Sequence, residues 1–561
     1  MINKEKLISS LRYFTLILLL CAFSSTGFAQ DDKKDFDVLR NVNIFNSLLR
    51  ELDRYYVDSI NADKMVTNGI NAMLSQIDPY TTYIPKSERD DFETMTTGEY
   101  GGIGSIIQQK GDSVIISEPY EGMPAQEVGL RPGDVILAID GESMLEKPTS
   151  EVSNKLRGEA NTSFVITIGR EGVEKPFDVN ITRRKITLNP VTYSGMINDS
   201  IGYIYLSSFT DKAAREVRSS LVELQKNPDF KGLILDLRNN PGGILEDAVE
   251  IVNLFVPKGK TVLETRGKVS NWDRVYKTTQ EPIAPDLPLI VMIDQGSASA
   301  SEIVSGALQD LDRAVIVGDR SFGKGLVQTT RPISYDGLLK VTTSKYYIPS
   351  GRLIQEIDYG KRNPDGSIAR RPDSLAQVFY TENNRPVKDG GGITPDITVK
   401  LEKTPNLILY LMGQQLIFDY ANQFAAQNDN IGSIADFKIS DSMYDEFKAY
   451  VKSKNFTYDR ESDKALKHLE KVAEFEGYSE DAAAEFKALA EKLKHNIDRD
   501  LDTFRPEIEI FLANEIVRRY YYQKGEIEQS LKDDKALIKA EEILGNKSEY
   551  DKILNPTVAK K

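Results

Sequence analysis

Three serines in one short segment, and a lysine shortly after it, are the residues of this sequence that could carry out nucleophilic chemistry. The segment Gly296–Glu302 reads Gly-Ser-Ala-Ser-Ala-Ser-Glu, and Lys324 lies among glycines in Gly318–Gly325. A serine hydroxyl becomes an effective nucleophile only when a neighbouring group removes its proton. The segment therefore needs a base from elsewhere in the chain.

The composition excludes the commoner bases and several classes of protein. The 561 residues include one cysteine, Cys21, and two histidines, His468 and His495, which lie in a charged tail with helical periodicity. A solvated surface role is favoured for both histidines, so neither a Ser-His-Asp triad nor a Cys/His zinc site is expected. The net charge of −14 makes nucleic acid an unexpected partner. A lysine or a carboxylate is the base that remains.

The residues around the serines predict a strand-to-helix turn. Leu287–Ile293 is an apolar run typical of a buried parallel strand, and Glu302–Leu308 has helical spacing. A hydroxyl at such a turn lies beside the N–H groups of the helix start. Another strand, Gly232–Leu237, leads into the loop Arg238–Gly243, whose glycine N–H groups could bind an oxyanion. These segments belong to an α/β region over residues 186–400.

Short strands and glycine turns occupy residues 98–185. Tyr100–Gly104 is a glycine-rich loop before a strand, and Gly129–Gly141 holds a Gly-Leu-Arg-Pro-Gly-Asp turn and an apolar strand. This order resembles a PDZ domain of the circularly permuted bacterial type; the alternative is a small β-domain whose glycines only make turns. Glycine N–H groups can capture a terminal carboxylate, and a strand edge can accept a peptide. The candidate substrate-binding residues are Gly101, Gly102, Ile103 and Gly104.

Helical patterns flank these two regions. Residues 30–97 carry an apolar stripe that includes Val42, Phe45 and Leu48, which predicts a small helical packing domain. Residues 401–561 are charged amphipathic helices, which usually cover a core or pair with another subunit, so a homo-oligomer or an adaptor contact could form there. The chain is 40% hydrophobic and 28% charged, which fits a soluble multidomain protein.

Residues 1–29 have the anatomy of a secretory signal peptide. Basic residues precede an apolar run over Tyr13–Phe23, and Gly27-Phe28-Ala29 offers a small-x-small cleavage site. We expect export to the periplasm, with membrane contact only if the signal stays uncleaved. The alternatives are an uncleaved anchor and a lipoprotein modified at Cys21, although Leu20 is not the small residue expected before a lipidated cysteine.

Two motifs overlap the lysine segment and suggest other chemistry. Gly318 and Gly323-Lys324 match most of a phosphate-binding loop, but Gly325 replaces the Ser or Thr that would bind magnesium. Ser321–Lys324 has the S-x-x-K spacing of penicillin-binding proteins, but Gly323 disfavours the helix that this motif needs. The remaining interpretation pairs Lys324 with a serine of the first segment. Burial lowers the pKa of an amine, and a neutral amine can act as a base.

Taken together, the motifs resemble the carboxyl-terminal processing (tail-specific) serine peptidases. Besides the PDZ-like region, the matching segments are Ser297–Glu302, Phe322–Gln328, Asp236–Gly243 and Gly392–Asp396. The resemblance covers roughly residues 41–400 and implies a multidomain α/β fold. The fold would contain a crotonase/ClpP-like α/β peptidase core, an inserted-type PDZ domain and flanking helical segments. The tail after residue 400 and the charged insert Glu356–Pro386 depart from the family pattern.

The resemblance implies roles for three side chains. Ser299 would be the nucleophile and Lys324 the general base, and Gln328 would orient the lysine amine. Ser297 and Ser301 remain alternative nucleophiles.

Backbone groups would complete the site. The family pattern implies an oxyanion hole made by the N–H groups of Gly243 and Ala300, with Gly242 as a further candidate. No metal or cofactor is expected. The substrates would be proteins or peptides whose free C-termini bind the PDZ domain.

Two other classes of protein remain to be separated from an active peptidase. One is a catalytically inactive PDZ-bearing scaffold or adaptor in the cell envelope. The presence of Ser299, Lys324 and Gln328 together speaks against it. The other is a crotonase-like enzyme, which shares the glycine oxyanion loops, but the chain has no evident thioester-binding signature.

Overall fold

A computed structural model describes residues 36–362, 368–370, 372–400, 403–494 and 496–556. The predicted signal peptide, Cys21 and His495 lie outside the described residues. The described residues divide into two compact units, one within residues 36–83 and 331–341 and the other within residues 84–330 and 342–556. Among the described helices, none combines the length and apolar character needed to span a bilayer.

The first unit is helical. It contains α1 over residues 36–55, α2 over Ala62–Leu74 and the start of the short strand β1, Thr82–Ile84. The Asn61 side chain caps α2 by accepting a hydrogen bond from the Lys64 N–H. The apolar stripe predicted on α1 is present but largely exposed, since Leu48, for example, is 52% exposed.

A small β-domain opens the second unit. Its main sheet has the strand order β3-β4-β5-β7-β8, with β6 beside β5, and β2 pairs separately with β9. Buried aliphatic side chains from the strands and α5 form its core. In chain order, the elements are α3 Arg89–Thr97, β2 Glu99–Gly102, β3 Ser105–Lys110, β4 Ser113–Pro119, α4 Pro124–Glu127, β5 Val135–Ile139, β6 Glu142–Ser143, α5 Thr149–Leu156, β7 Ser163–Gly169, β8 Phe177–Thr182 and β9 Arg184–Thr187.

The α/β region is built on a six-stranded sheet whose strands, in spatial order, are β10 (Val191–Met196), β11 (Ile201–Leu206), β12 (Gly232–Asp236), β15 (Leu289–Ile293), β16 (Val315–Gly318) and β23 (Ile397–Thr398). All neighbours are parallel except β10 and β11. Every residue of β12 and β15 is buried, as expected for parallel strands covered on both faces. Helices α6, α7 and α8 cover one face.

The elements of this region, in chain order, are β10 Val191–Met196, β11 Ile201–Leu206, α6 Ala213–Leu224, β12 Gly232–Asp236, α7 Leu245–Asn253, β13 Thr261–Gly267, β14 Arg274–Lys277, β15 Leu289–Ile293, α8 Ala300–Asp310, β16 Val315–Gly318, β17 Leu326–Pro332, β18 Leu338–Tyr347, β19 Ile357–Arg362, β20 Ile368–Arg370, β21 Val378–Tyr380, β22 Pro386–Lys388 and β23 Ile397–Thr398.

The C-terminal helices form two groups. Helices α9, α10, α11, α14 and α15 share a core of their own. Helices α16 and α17 instead cover the second face of the central sheet, where Leu537 and Ile543 share a buried cluster with Ile290. In chain order, the helices are α9 Asn406–Gly413, α10 Leu416–Gln427, α11 Asp441–Ser453, α12 Glu461–Glu476, α13 Ala483–Lys492, α14 Ile497–Thr503, α15 Arg505–Ser530, α16 Lys535–Gly545 and α17 Lys547–Leu554.

Candidate active site

Ser299 occupies the turn between β15 and α8, where the sequence predicted a strand-to-helix turn. Its backbone has φ 55° and ψ −112°, and its side chain is partly exposed. Such a conformation costs a non-glycine residue about 1–3 kcal/mol and persists only where the surroundings impose it. Strained residues of this kind concentrate at functional sites, so the turn is a candidate site on conformation alone.

The two neighbouring serines are buried and hydrogen-bonded to the backbone. The Ser297 hydroxyl donates to the Leu237 carbonyl at 2.8 Å and accepts from the Asp294 N–H at 2.9 Å. The Ser301 hydroxyl donates to the Asn240 carbonyl at 2.9 Å. Both side chains therefore join the turn to the loop after β12, while only Ser299 of the three is partly exposed.

A buried carboxylate joins the serine turn to the lysine loop. Glu302 is fully buried in the first turn of α8. Its Oε1 atom accepts from the Ser321 hydroxyl and from the Gly323 N–H, each at 2.6 Å. Its Oε2 atom accepts from the N–H groups of Ser299 and Lys324, each at 3.0 Å. The backbone nitrogens of Ser299 and Lys324 are thus at most about 6 Å apart, since they share one acceptor atom.

Two effects act in opposite directions on the pKa of this carboxylate. Burial raises the pKa of Glu302, and the hydrogen bonds from Ser321, Lys324 and Gly323 counteract that rise. We did not identify Glu302 as a site residue from the sequence. The signal was the capping-box spacing, in which a glutamate three residues after a serine accepts from the serine N–H.

The loop that carries Lys324 is non-helical and closely packed. Gly323 and Gly325 have φ of 82° and 63°, in the left-handed region that favours glycine. A Cβ atom on Gly325 would lie 2.8 Å from the backbone nitrogen of Gln355, so no side chain fits there. Strand β17 begins directly afterwards at Leu326. A phosphate-binding loop and an S-x-x-K motif both require a helix at the lysine, and this segment is not helical. The Lys324 residue itself is partly buried.

Gln328 lies on β17, four residues after the lysine. Its side-chain N–H donates to the Thr342 hydroxyl on β18 at 3.2 Å. The Gln328 side chain therefore bonds to a neighbouring strand, and the predicted orientation of the lysine amine by Gln328 stays a prediction.

The predicted oxyanion loop packs against the serine turn. A Cβ atom on Gly242 would lie 2.6 Å from the Ala298 carbonyl oxygen and 2.8 Å from the Ser299 Cβ. The Gly242 N–H donates to the Asn240 side chain at 2.9 Å, so it is already used. Within the described part of the chain, no acceptor is found for the N–H groups of Gly243 and Ala300. Of the three predicted donors, these two are available to bind an oxyanion.

An ion pair that we did not predict lies at the start of this loop. Arg238 donates to Asp236, the last residue of β12, and to Asp534, with Nη2–Oδ2 distances of 2.6 Å each. The Tyr203 hydroxyl also donates to Asp236 at 2.6 Å. The Asp-Leu-Arg sequence after β12 was the available signal, whereas Asp534 is almost three hundred residues away in sequence.

The four predicted substrate-binding residues of the β-domain divide into two pairs. Gly101 and Gly102 belong to β2, which pairs with β9, and the Gly101 carbonyl accepts from the Gly158 N–H at 3.1 Å. Ile103 and Gly104 precede β3, and no described residue accepts from their N–H groups. Gly104 also has φ 69°. The available amides are therefore those of Ile103 and Gly104, directly before the edge strand.

Comparison with known proteins gives three family matches along the chain. Residues 200–367 match peptidase family S41, residues 115–170 match a PDZ domain, and residues 407–544 match "Probable PDZ-protease, C-terminal helical domain". A carboxy-terminal-processing protease of Bartonella bacilliformis is 37% identical over 316 residues, which are 56% of this chain and 72% of that protein.

A "Probable CtpA-like serine protease" of Staphylococcus aureus is 36% identical over 318 residues, which are 56% of this chain but only 62% of that protein. Among solved structures, the photosystem II D1 C-terminal processing protease is 26% identical, with a TM-score of 0.35. That match covers 64% of this chain and 93% of the other.

The fold and these matches define a PDZ-bearing serine peptidase with a helical C-terminal domain. The chain belongs to the carboxy-terminal-processing proteases of peptidase family S41. The family inferred from the motifs and the predicted fold class are thereby confirmed.

Proposed function

We propose that this chain is an exported serine endopeptidase that uses Ser299 and Lys324 to cleave proteins recognised by their C-terminal tails. The observation that carries the proposal is the Glu302 carboxylate, which accepts from the N–H groups of both residues. This contact supports the proposal because it joins a strained, partly exposed serine to the segment that carries Lys324, the predicted base. The proposed oxyanion donors are the N–H groups of Gly243, on the adjoining loop, and of Ala300, the first residue of α8.

The proposed reaction is acyl transfer in two steps. The Ser299 Oγ atom bonds to the peptide carbonyl carbon, and its proton passes to the neutral Lys324 amine. The oxyanion accepts hydrogen bonds from the N–H groups of Gly243 and Ala300. The C–N bond then breaks, and the leaving amine takes the proton from Lys324. In the second step, Lys324 removes a proton from water, and the resulting hydroxide bonds to the acyl carbon. The ester C–O bond to Ser299 then breaks, the Ser299 Oγ atom takes the proton back from Lys324, and the new C-terminus leaves.

Serine substitutions test the assignment of the nucleophile. We expect Ser299→Ala to lower the turnover of a denatured protein substrate, such as fluorescein-labelled casein, by at least a thousandfold. Ser297→Ala and Ser301→Ala remove buried hydrogen bonds, so we expect lower thermal stability with measurable turnover. Full activity of Ser299→Ala would refute the assignment. An inactive wild-type chain would favour the scaffold alternative.

Recognition of tails is the second part of the proposal. The N–H groups of Ile103 and Gly104, for which the described part of the chain offers no acceptor, could bind a terminal carboxylate, and the adjoining edge strand could accept the tail. We expect a peptide substrate with a free C-terminus to be cleaved several-fold faster than the same peptide with an amidated end. Equal rates would refute tail recognition and leave the assignment of Ser299 untouched.

Export is supported by the signal-like pattern of residues 1–29. We expect the chain to be found in the periplasmic fraction, with a mature N-terminus at Gln30. Mass spectrometry of the protein recovered from its native cells would test this. Recovery of the full-length chain from the cytoplasmic fraction would refute it.

A further inference from the structure

Strand β3 of the PDZ domain is an edge strand with an open side. It pairs with β4 on one side only, and helix α5 lies next to it. The amides of Ile103 and Gly104, which have no acceptor among the described residues, directly precede β3. Val152 and Leu156 of α5 are buried in the core of the domain. An extended peptide could therefore bind along β3 with its carboxylate at the two amides.

The register of β3 identifies which of its backbone groups face the open side. Lys110 pairs with Ser113 across the turn Gly111-Asp112, so these two residues exchange both backbone hydrogen bonds. The backbone N–H and C=O groups of alternate residues point to the opposite side. Those of Gln109, Ile107 and Ser105 therefore face the open side of β3. The register shift between Ile106 and Ile107 adds its extra residue on β4, so the alternation of inward and outward groups along β3 is preserved.

The helical C-terminal domain occupies the far end of this open side. The Gln415 side-chain N–H donates to the Gln109 carbonyl at 3.1 Å, and the Lys110 amine contacts the Asp419 carboxylate at 2.5 Å. Gln415 has φ 58° and ψ 22°, a left-handed conformation that is uncommon for glutamine. The outward carbonyl of Gln109 is thus already bonded, whereas the register leaves the corresponding groups of Ile107 open.

We propose that Gln415 is a specificity-determining residue, which limits the tail-binding edge of β3 to about the last four residues of a substrate. This inference rests on the proposed recognition of tails by the PDZ domain. Counting back in steps of two from the carboxylate, the third residue from the end meets Ile107 and the fifth would meet Gln109. Gln415 takes the hydrogen bond that the fifth residue would otherwise make. Residues further from the end must leave the edge of β3.

Backbone esters in the ligand test the inference without altering the protein fold. The probe is a fluorescein-labelled eight-residue peptide of alanine and serine that ends in a free valine carboxylate. The protein is the full mature chain with Ser299→Ala, so that the probe is not cleaved. An ester that removes the N–H of the third residue from the end should weaken binding about 2- to 10-fold. An ester at the fifth residue should change binding less than about 2-fold.

Substitution of Gln415 should alter only the binding of the peptide that carries the ester at the fifth residue. Glycine accepts the left-handed backbone, so Gln415→Gly should fold. In this variant we expect the ester at the fifth residue to weaken binding about 2- to 10-fold. The matched control is Gln414→Gly, because Gln414 bonds the Thr457 carbonyl and not the PDZ domain. Binding to this control should follow the unsubstituted pattern.

Two outcomes would overturn the inference for different reasons. If the peptides bind but the ester at the fifth residue weakens binding while Gln415 is present, the edge continues past Gln109 and only this inference fails. If the free-acid probe and its amidated form bind equally or not at all, the proposed recognition of tails fails, and the inference fails with it.

Discussion

The Glu302 carboxylate provides a sharp test of how the catalytic residues are held. Its Oε1 atom accepts from Ser321 and Gly323, and its Oε2 atom accepts from the N–H groups of Ser299 and Lys324 and, at 3.4 Å, from the Tyr346 hydroxyl. A glutamine has only one acceptor oxygen, and its amide NH₂ would face at least one backbone N–H in either orientation. A hydroxyl can turn to accept from the NH₂ but a backbone N–H cannot, so Glu302→Gln should leave at least one buried N–H without an acceptor.

The size of the effect follows from the burial of these donors. Leaving one buried donor without an acceptor costs about 1–3 kcal/mol. If the turn and the lysine loop separate to relieve this cost, the energy appears as lost transition-state stabilisation. That corresponds to a fall in kcat/KM of about 5-fold to about 150-fold. If they stay together, the same energy appears as a lower free energy of unfolding.

The assay is the initial rate on fluorescein-labelled casein, with thermal unfolding measured on the same samples. Glu246→Gln is the matched control, since it makes the same chemical change at an exposed position in the first turn of α7. We expect the control to keep both properties. A Glu302→Gln variant that keeps turnover within about twofold and an unchanged Tm would refute the reasoning, because at least about 1 kcal/mol must appear in one or the other.

Two further predictions concern the oxyanion loop and the base of the PDZ domain. Gly242→Ala should lower turnover at least tenfold, because the new Cβ would lie 2.8 Å from the Ser299 Cβ; unchanged kcat/KM on casein would contradict this. The pKa of Glu99 is lowered to about 2 by Lys185 and Lys212, so its stabilising contribution is present above the ordinary carboxyl pKa of 4.5. It is lost as the pH falls through 4.5 towards 2, and Glu99→Gln should lower Tm at pH 7 but not at pH 2; an equal difference at both would contradict this.

The sequence predicts the serine turn well because its signals are local. An apolar run followed by small residues and then helical spacing specifies a strand, a turn and a helix without help from distant residues. The glycines around Lys324 likewise predicted a loop and not a helix. These local patterns placed Ser299 and Lys324 on the elements that the structure shows.

The contacts between loops could not be predicted in the same way. The capping-box spacing could have linked Glu302 to Ser299, but its bonds to Gly323 and Lys324 join segments that are separated by strand β16. The glycine loop of the PDZ domain shows the same limit. Pairing between β2 and β9 decides that Gly101 is used in a strand while the Gly104 amide is not. Such pairings depend on tertiary structure, which a local pattern does not encode.

The C-terminal helices are the clearest example of contacts that the sequence did not predict. These contacts show that the tail is not a separate part of the peptidase. An amphipathic pattern predicts that a helix covers something, but it does not say which surface. Helices α16 and α17 cover the central sheet, and Asp534 caps α16 while it binds Arg238. Arg238 in turn holds Asp236, just before the proposed oxyanion loop. The same tail reaches the PDZ edge through Gln415, so it supports both the proposed site of cleavage and the proposed site of tail recognition.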